Sequence, residues 1–293
     1  MDSLELVRLS ALMALTRGRE DLVLGLVDGP VALDHADLAS GNIRTVAETE
    51  GACRETASAS CRHGTIVAGI LAARRGARAP AIAPDCTLLV RPIFSEAITV
   101  GELPTAAPGE LAAAIVDCVD AGAQILNVSA ALVDGSTAAE KAELELALQY
   151  TVQRGVLVVA AAGNQGVLGG STITSHPWVI PVVACTRAGW PLTQSNLSHS
   201  VGRRGLGAAG EGVISPAPDG NPTVSAGTSI AAPFVTGAAA LLWSAMPGAT
   251  AVEIKHALLS SAVGKRRTVV PPLLDAWGAY EALSANRVRR AVG

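Results

Sequence analysis

The chain has 293 residues, 49% of them hydrophobic, and a formal net charge of −3. That apolar content can bury a large core, and α/β folds of this size commonly form one unit, so a single domain over 1–293 is expected. Basic residues cluster only briefly, at Arg74, Arg75 and Arg78, at Arg203 and Arg204, and at Lys265, Arg266 and Arg267. Such short groups read as solvated loops and helix ends, which argues against a nucleic-acid partner.

In chain order, the first apolar run, Leu9 to Leu15, is short, follows Asp2 and Glu5, and lacks the basic start of a signal peptide. Leu4 to Leu15 is expected to pack as an N-terminal helix, and the chain to be cytoplasmic. Leu22 to Val27 reads as a strand that ends at Asp28. An apolar helix opening at His63 and running to Arg75 follows, then strands at Thr87 to Pro92 and Gln124 to Ser129. Glu110 to Ala121 has helical spacing ahead of Gly122, and Ala138 to Arg154 runs from caps at Ser136 and Thr137 to a stop at Gly155. Strands over Val156 to Ala161 and Val179 to Ala184 precede an apolar helix from Ser229 to Met246. Thr250 with Glu253 forms a capping box ahead of a late helix. Apolar runs end at Gly or Pro short of the roughly 18 residues that a membrane span needs, so no membrane partner is expected. Short apolar runs alternating with helices predict an α/β fold: a mainly parallel central sheet flanked by helices in three layers.

Open α/β sheets place their sites at the carboxyl ends of strands, where Asp28 and Gly163-Asn164 fall. His63 and Ser229 stand at apolar helix starts, where free N–H groups favour developing negative charge. A serine hydroxyl is a weak nucleophile until a base takes its proton. His63 would be that base for Ser229, and Asp28 would fix its tautomer and stabilise the imidazolium. Asn164 would donate its side-chain amide to a tetrahedral oxyanion together with the Ser229 backbone N–H. Singly, each residue has an ordinary reading as a helix cap, strand-end cap or turn residue.

Jointly, Val27-Asp28-Gly29, His63-Gly64-Thr65, Ile125-Leu126-Asn127-Val128-Ser129, Ala161-Ala162-Gly163-Asn164 and Gly227-Thr228-Ser229-Ile230-Ala231-Ala232-Pro233 resemble the subtilisin family, in its Asp, His, Ser order. The resemblance implies a subtilisin-like α/β fold and a serine peptidase with Asp28, His63 and Ser229 as catalytic residues and Asn164 in the oxyanion hole. It also implies a substrate cleft along Ser129, Ala130, Ala131, Leu132, Ala162 and Gly163. Where subtilisins carry Ser or Thr after the aspartate, this chain has Gly29 and Pro30, and where they read Ser-Leu-Gly-Gly it has Ser129-Ala130-Ala131-Leu132. An altered or narrower cleft is expected. Arg74 to Pro80 offers cations where many subtilisins wrap calcium, a hard cation that takes oxygen ligands. Only 27 residues precede Asp28, so no folded pro-domain is expected.

The five cysteines are an odd number, so at least one is unpaired within a monomer. Cys53 and Cys61 bracket a Ser/Ala-rich segment, which leaves a local bridge open. No second pair at zinc-finger spacing accompanies Cys61-Arg62-His63, so neither a metal nor another cofactor is expected. A narrower resemblance, in Cys53 through His63, Cys86 to Phe94 and Arg266 to Asp275, is to the peptidases of cyanobactin-type maturation. It implies disulfides Cys53 with Cys61 and Cys86 with Cys118, and a precursor peptide as substrate. General cytosolic turnover and a non-catalytic precursor-binding module are the alternatives. No long insertion of the kind that shields macrocyclising relatives is evident, which favours hydrolysis over transpeptidation.

Overall fold

The structure is a computed structural model that describes residues 2–39, 42–46, 51–96, 105–129, 131–132, 137–263 and 269–292, with the backbone alone at 105, 131–132 and 288–292. The chain opens with helices α1 (Ser3–Leu6) and α2 (Ser10–Leu15), then strands β1 (Val23–Asp28) and β2 (Ile43–Thr45), helix α3 (Ala59–Ala72) and β3 (Thr87–Pro92). Strand β4 (Thr105–Ala106), α4 (Pro108–Asp120), β5 (Ile125–Val128), β6 (Ala131–Leu132), α5 (Ala138–Arg154) and β7 (Leu157–Ala161) follow. Beyond them come α6 (Thr172–Ser175), β8 (Ile180–Cys185), α7 (His199–Arg204), β9 (Leu206–Ala209) and the hairpin of β10 (Val213–Pro216) and β11 (Pro222–Ser225). Helices α8 (Thr228–Ala245), α9 (Ala251–Ser261) and α10 (Ala276–Val292) complete it.

Seven strands form one sheet in the order β2-β3-β1-β5-β7-β8-β9, and every pairing in it is parallel. The order reverses between β1 and β5, so the crevice at their carboxyl ends is the switch point where an α/β sheet leaves room for a ligand. Strand alternation splits the core. Leu24, Leu26, Leu88, Val90, Ile125 and Val159 face α3 and α8, whereas Val27, Leu126, Val128 and Val158 face α4 and α5. The three layers expected from the sequence are therefore present.

Helix α8 runs through the larger half of this core. It contains no charged residue and is long and apolar enough to cross a bilayer, contrary to the sequence expectation, but 94% of that stretch is buried inside the protein. A helix apolar all round is the form that a core helix takes. Capping signals set other boundaries as the sequence predicts. Thr137 and Glu140 form a capping box that starts α5, Gly155 ends it at φ 66°, and Thr250 with Glu253 starts α9.

Two helix expectations are corrected. The N-terminal helix is broken, because Val7 and Leu9 both turn into the core while Arg8, at φ 51°, points out to bond Asp275 at 2.7 Å. The histidine helix begins at Ala59 rather than His63: the Ser58 side chain accepts from the Cys61 N–H, and the Ser/Ala segment forms its first turn. His63 thus lies inside the helix, and the helix-start argument applies to Ser229 alone.

The cysteine pairing is also partly corrected. Cys53 and Cys61 form a disulfide, but Cys86, Cys118 and Cys185 are free and buried. Cys86 lies in the α8 half of the core and Cys118 in the α4 half, so the sheet stands between the two thiols. Burial raises the Cys86 pKa and pushes Cys118 and Cys185 up to about 12.

The arginine-rich segment after α3 is not simply solvated. The Arg75 guanidinium donates to the carbonyl oxygens of Met13, Thr16, Ala81 and Ile82, so one cation ties α2 to the turn before β3. Replacing Arg75 by Met should lower the urea-unfolding free energy by about 2–4 kcal/mol, because charge-assisted bonds are lost and buried carbonyls left bare. For the cysteines, thiol titration of denatured, unreduced protein should count three free groups, and five after reduction.

Candidate active site

Asp28 closes β1 and is fully buried, whereas the His63 side chain is 23% exposed. Close contact of the loop after β1 with α3 brings the two together. A Cβ on Gly64 would lie 2.4 Å from the carbonyl oxygens of Gly29 and Pro30, and one on Gly29 would lie 2.0 Å from that of Ser60. Only glycines allow this approach. Across it, His63 Nδ1 lies 2.6 Å from Asp28 Oδ1, and the Gly29 N–H donates to the same oxygen at 2.6 Å. The residue that replaces the family's hydroxyl thus holds the carboxylate through its backbone. Asp28 Oδ2 is buried and has no partner among the described residues.

On its other side, His63 Nε2 lies 2.8 Å from Ser229 Oγ. With Nδ1 donating to the carboxylate, the neutral ring presents Nε2 as an acceptor for the hydroxyl proton. Phe94 meets the His63 ring edge-on, with centroids 6.5 Å apart. Burial lowers the His63 pKa, but the charge of Asp28 and its hydrogen bond outweigh that effect, so the pKa is raised above its ordinary value. The protonated His63–Asp28 pair therefore contributes stability that is complete below pH 6.5 and lost as pH rises through the folded pKa. Proton abstraction from Ser229 has the opposite dependence, since it needs neutral His63.

Ser229 is the second residue of α8, behind Gly227 at φ 134°. In the first turn, the Thr228 N–H donates to Asn164 Oδ1 at 2.9 Å, and those of Ile230 and Ala231 donate to the Gly227 carbonyl. No partner is described for the Ser229 N–H, a first-turn donor of the kind that a helix start leaves free. Asn164 follows β7, and its Oδ1 also accepts from the Thr228 hydroxyl at 3.1 Å. A backbone N–H can bond only the carbonyl end of the amide, which fixes the orientation and leaves the Asn164 NH₂ without a described partner. A Cβ on Gly227 would lie 3.2 Å from that nitrogen. The start of α8 thus brings together two donors without partners among the described residues, the Ser229 N–H and the Asn164 NH₂ beside Gly227.

The expected cleft residues are placed unevenly. Ser129 is buried directly after β5, where its hydroxyl accepts from Asn127 at 2.9 Å, and Asn127 accepts in turn from Thr236 on α8 at 2.8 Å. Ala162 and Gly163 lead from β7 into Asn164. Ala131 and Leu132 form a short parallel pairing with Thr105 and Ala106, and Ala130 lies outside the described residues. Sequence reasoning missed Phe94, Thr228 and the Gly29 N–H. Each lay within a quoted segment, Gly29 beside Asp28, Thr228 beside Ser229 and Phe94 at the end of Cys86 to Phe94, but none of the segments gave it a role.

Two of the other histidines have partners elsewhere: His35 accepts from the Asp37 N–H, and His176 lies 3.6 Å from Glu145. A group of potential metal ligands, Cys53, Cys61 and Glu96, uses thiols that the disulfide already engages.

This geometry defines an Asp–His–Ser hydrolase-type site at the switch point of a parallel sheet. The family model "Subtilase family" matches residues 19–293, and the chain belongs to that family. It is similar to mycosin-4 of Mycobacterium tuberculosis, with 31% identity over 237 residues covering 68% of this chain and 51% of mycosin-4. It covers 54% of mycosin-3 of the same organism, so the chain spans about half the length of these curated relatives. Among solved structures, a mutant of the protease domain of PatA shares 30% identity at a TM-score of 0.81, covering 92% of this chain and 98% of that one. The prenylagaramide maturation protease PagA shares 29% at a TM-score of 0.83, covering 94% and 98%.

If His63 is the base for Ser229, fluorophosphonate labelling of Ser229 should rise with pH around a midpoint above 6.5. Asp28→Asn should move that midpoint down while slowing labelling.

Proposed function

We propose that this chain is a serine endopeptidase that hydrolyses peptide bonds through an acyl-enzyme and removes a leader or flanking segment from a ribosomally made precursor peptide. The carrying observation is the bond series from Asp28 through His63 to Ser229, at 2.6 and 2.8 Å, beside two donors without described partners.

Ser229 Oγ attacks the scissile carbonyl carbon as His63 Nε2 takes the hydroxyl proton. The carbonyl π electrons move to oxygen, and the Asn164 NH₂ and Ser229 N–H stabilise the oxyanion. His63 then gives its proton to the leaving amine as the C–N bond breaks, which leaves Ser229 acylated. Water, deprotonated by His63, attacks the ester carbonyl, and the proton returns to Ser229 as the acid leaves. Asp28 keeps Nδ1 protonated and offsets the imidazolium charge throughout.

The likeness to PagA, named a maturation protease, and to the PatA protease domain supports a precursor peptide as substrate. A chain dedicated to one substrate should cut a precursor peptide encoded beside its own gene at one position and leave casein intact. Mass spectrometry of both digests checks this, and rapid casein degradation would favour general turnover instead. Ser229→Ala should abolish both cleavage and fluorophosphonate labelling, and a folded wild type that never labels would leave the non-catalytic binding module standing. Asn164→Ala should reduce kcat by about 10²–10³, the magnitude that belongs to subtilisin's own oxyanion asparagine.

A further inference from the structure

The Asn164 amide is useful only if it is aimed, because donors to a transition state must be held within about 10–20° of the productive direction. Its loop gives little inherent rigidity. Gly163 stands at φ 104° and Gly166 at φ 68°, and residues 165–168 are exposed. Thr228 fixes the carbonyl end of the side chain, and its hydroxyl accepts from the Gly163 N–H at 3.1 Å, but among the described residues no hydrogen bond runs from it to 165–168 on the far side of Asn164.

Asn196 supplies that second hold from outside every recognised motif. Its backbone N–H donates to the Gly163 carbonyl at 2.9 Å. Its Oδ1 accepts from the Gln165 N–H at 3.0 Å and the Val167 N–H at 3.2 Å, and its Nδ2 donates to Gln165 Oε1 at 2.6 Å. These bonds straddle Asn164, with Gly163 held on one side and Gln165 on the other. A Cβ on Gly163 would lie 2.3 Å from Asn196 Nδ2, so the amide fills the space that the missing side chain leaves. Backbone bonds from Gly166 to Gln194 and from Leu197 to Val167 extend the same seam.

We propose that Asn196 is a positioning residue for the oxyanion donor: by bridging both neighbours of Asn164, it sets the direction of the Asn164 amide and, through it, kcat. The inference rests on the peptidase reading of the site. Asn196 is partly exposed, so water can replace its bonds at small cost to global stability, but water cannot hold a direction.

The test is a double-mutant cycle on an internally quenched peptide, with kcat and KM measured for wild type, Asn196→Ala, Asn196→Asp, Asn164→Ala and the Asn164→Ala/Asn196→Ala pair. Asn196→Ala should lower kcat about 10-fold with KM within about twofold, as expected for loss of an interaction made only in the transition state. Asn196→Asp keeps the acceptor for both N–H groups and should lose only about threefold. The double variant should be no slower than Asn164→Ala, because Asn196 acts through the group already removed. An unchanged kcat in Asn196→Ala, a change in KM alone, or a penalty that multiplies in full on Asn164→Ala would overturn the assignment. If Asn196→Ala does not fold, Asn196→Ser takes its place in the cycle. If wild type neither labels nor cleaves, the peptidase reading fails separately, and ¹⁵N relaxation of the Asn164 side chain still decides the positioning. Greater disorder in Asn196→Ala supports it, and an unchanged order parameter rejects it.

Discussion

The backbone contact between Gly29 and Gly64 is the constraint on which the site depends. Any side chain at either position would push α3 away from the end of β1, because the intruding Cβ would come within 2.4 Å of a carbonyl oxygen. His63 stands one residue before Gly64, so the distance that keeps its Nδ1 bonded to Asp28 is set by the absence of two methyl-sized groups. Ser229 meets the other ring nitrogen only because α8 is buried along its length and cannot shift without opening the core.

Charge is managed at the same place. A fully buried carboxylate is costly unless it is bonded; Asp28 Oδ1 takes both the Gly29 N–H and His63, while Oδ2 has no partner among the described residues. The result is a histidine whose proton affinity is raised by its neighbour yet whose second nitrogen still faces the Ser229 hydroxyl. Stability gains from protonating His63, whereas the proposed attack by Ser229 would require the neutral ring, so the same pair would set opposing pH demands.

Part of this was legible in short blocks of sequence. Thr137 with Glu140, Gly155, and Thr250 with Glu253 announce helix ends because capping is local chemistry, completed within a few residues. Asp28, Asn164 and Ser229 were readable because each falls where a strand ends or a helix begins, in a block with a recognisable neighbourhood. The start of α3 is misplaced by sequence reasoning because a Ser/Ala segment fits a loop as well as a first turn, and the Ser58 cap decides between them. Pairing Cys86 with Cys118 fails for a different reason: thiols on opposite sides of a sheet look no different in sequence from thiols on the same side.

The sequence by itself determined five strands of the central sheet, several of the helices that flank them, the family, and a candidate serine with its candidate base, since these depend on short-range patterns. Only the tertiary structure decided that a glycine N–H holds Asp28, that Arg75 gathers carbonyls from both sides of its turn, and that Asn196 grips both neighbours of Asn164. Each depends on groups that only folding brings within hydrogen-bond range. No periodicity or motif records such distances.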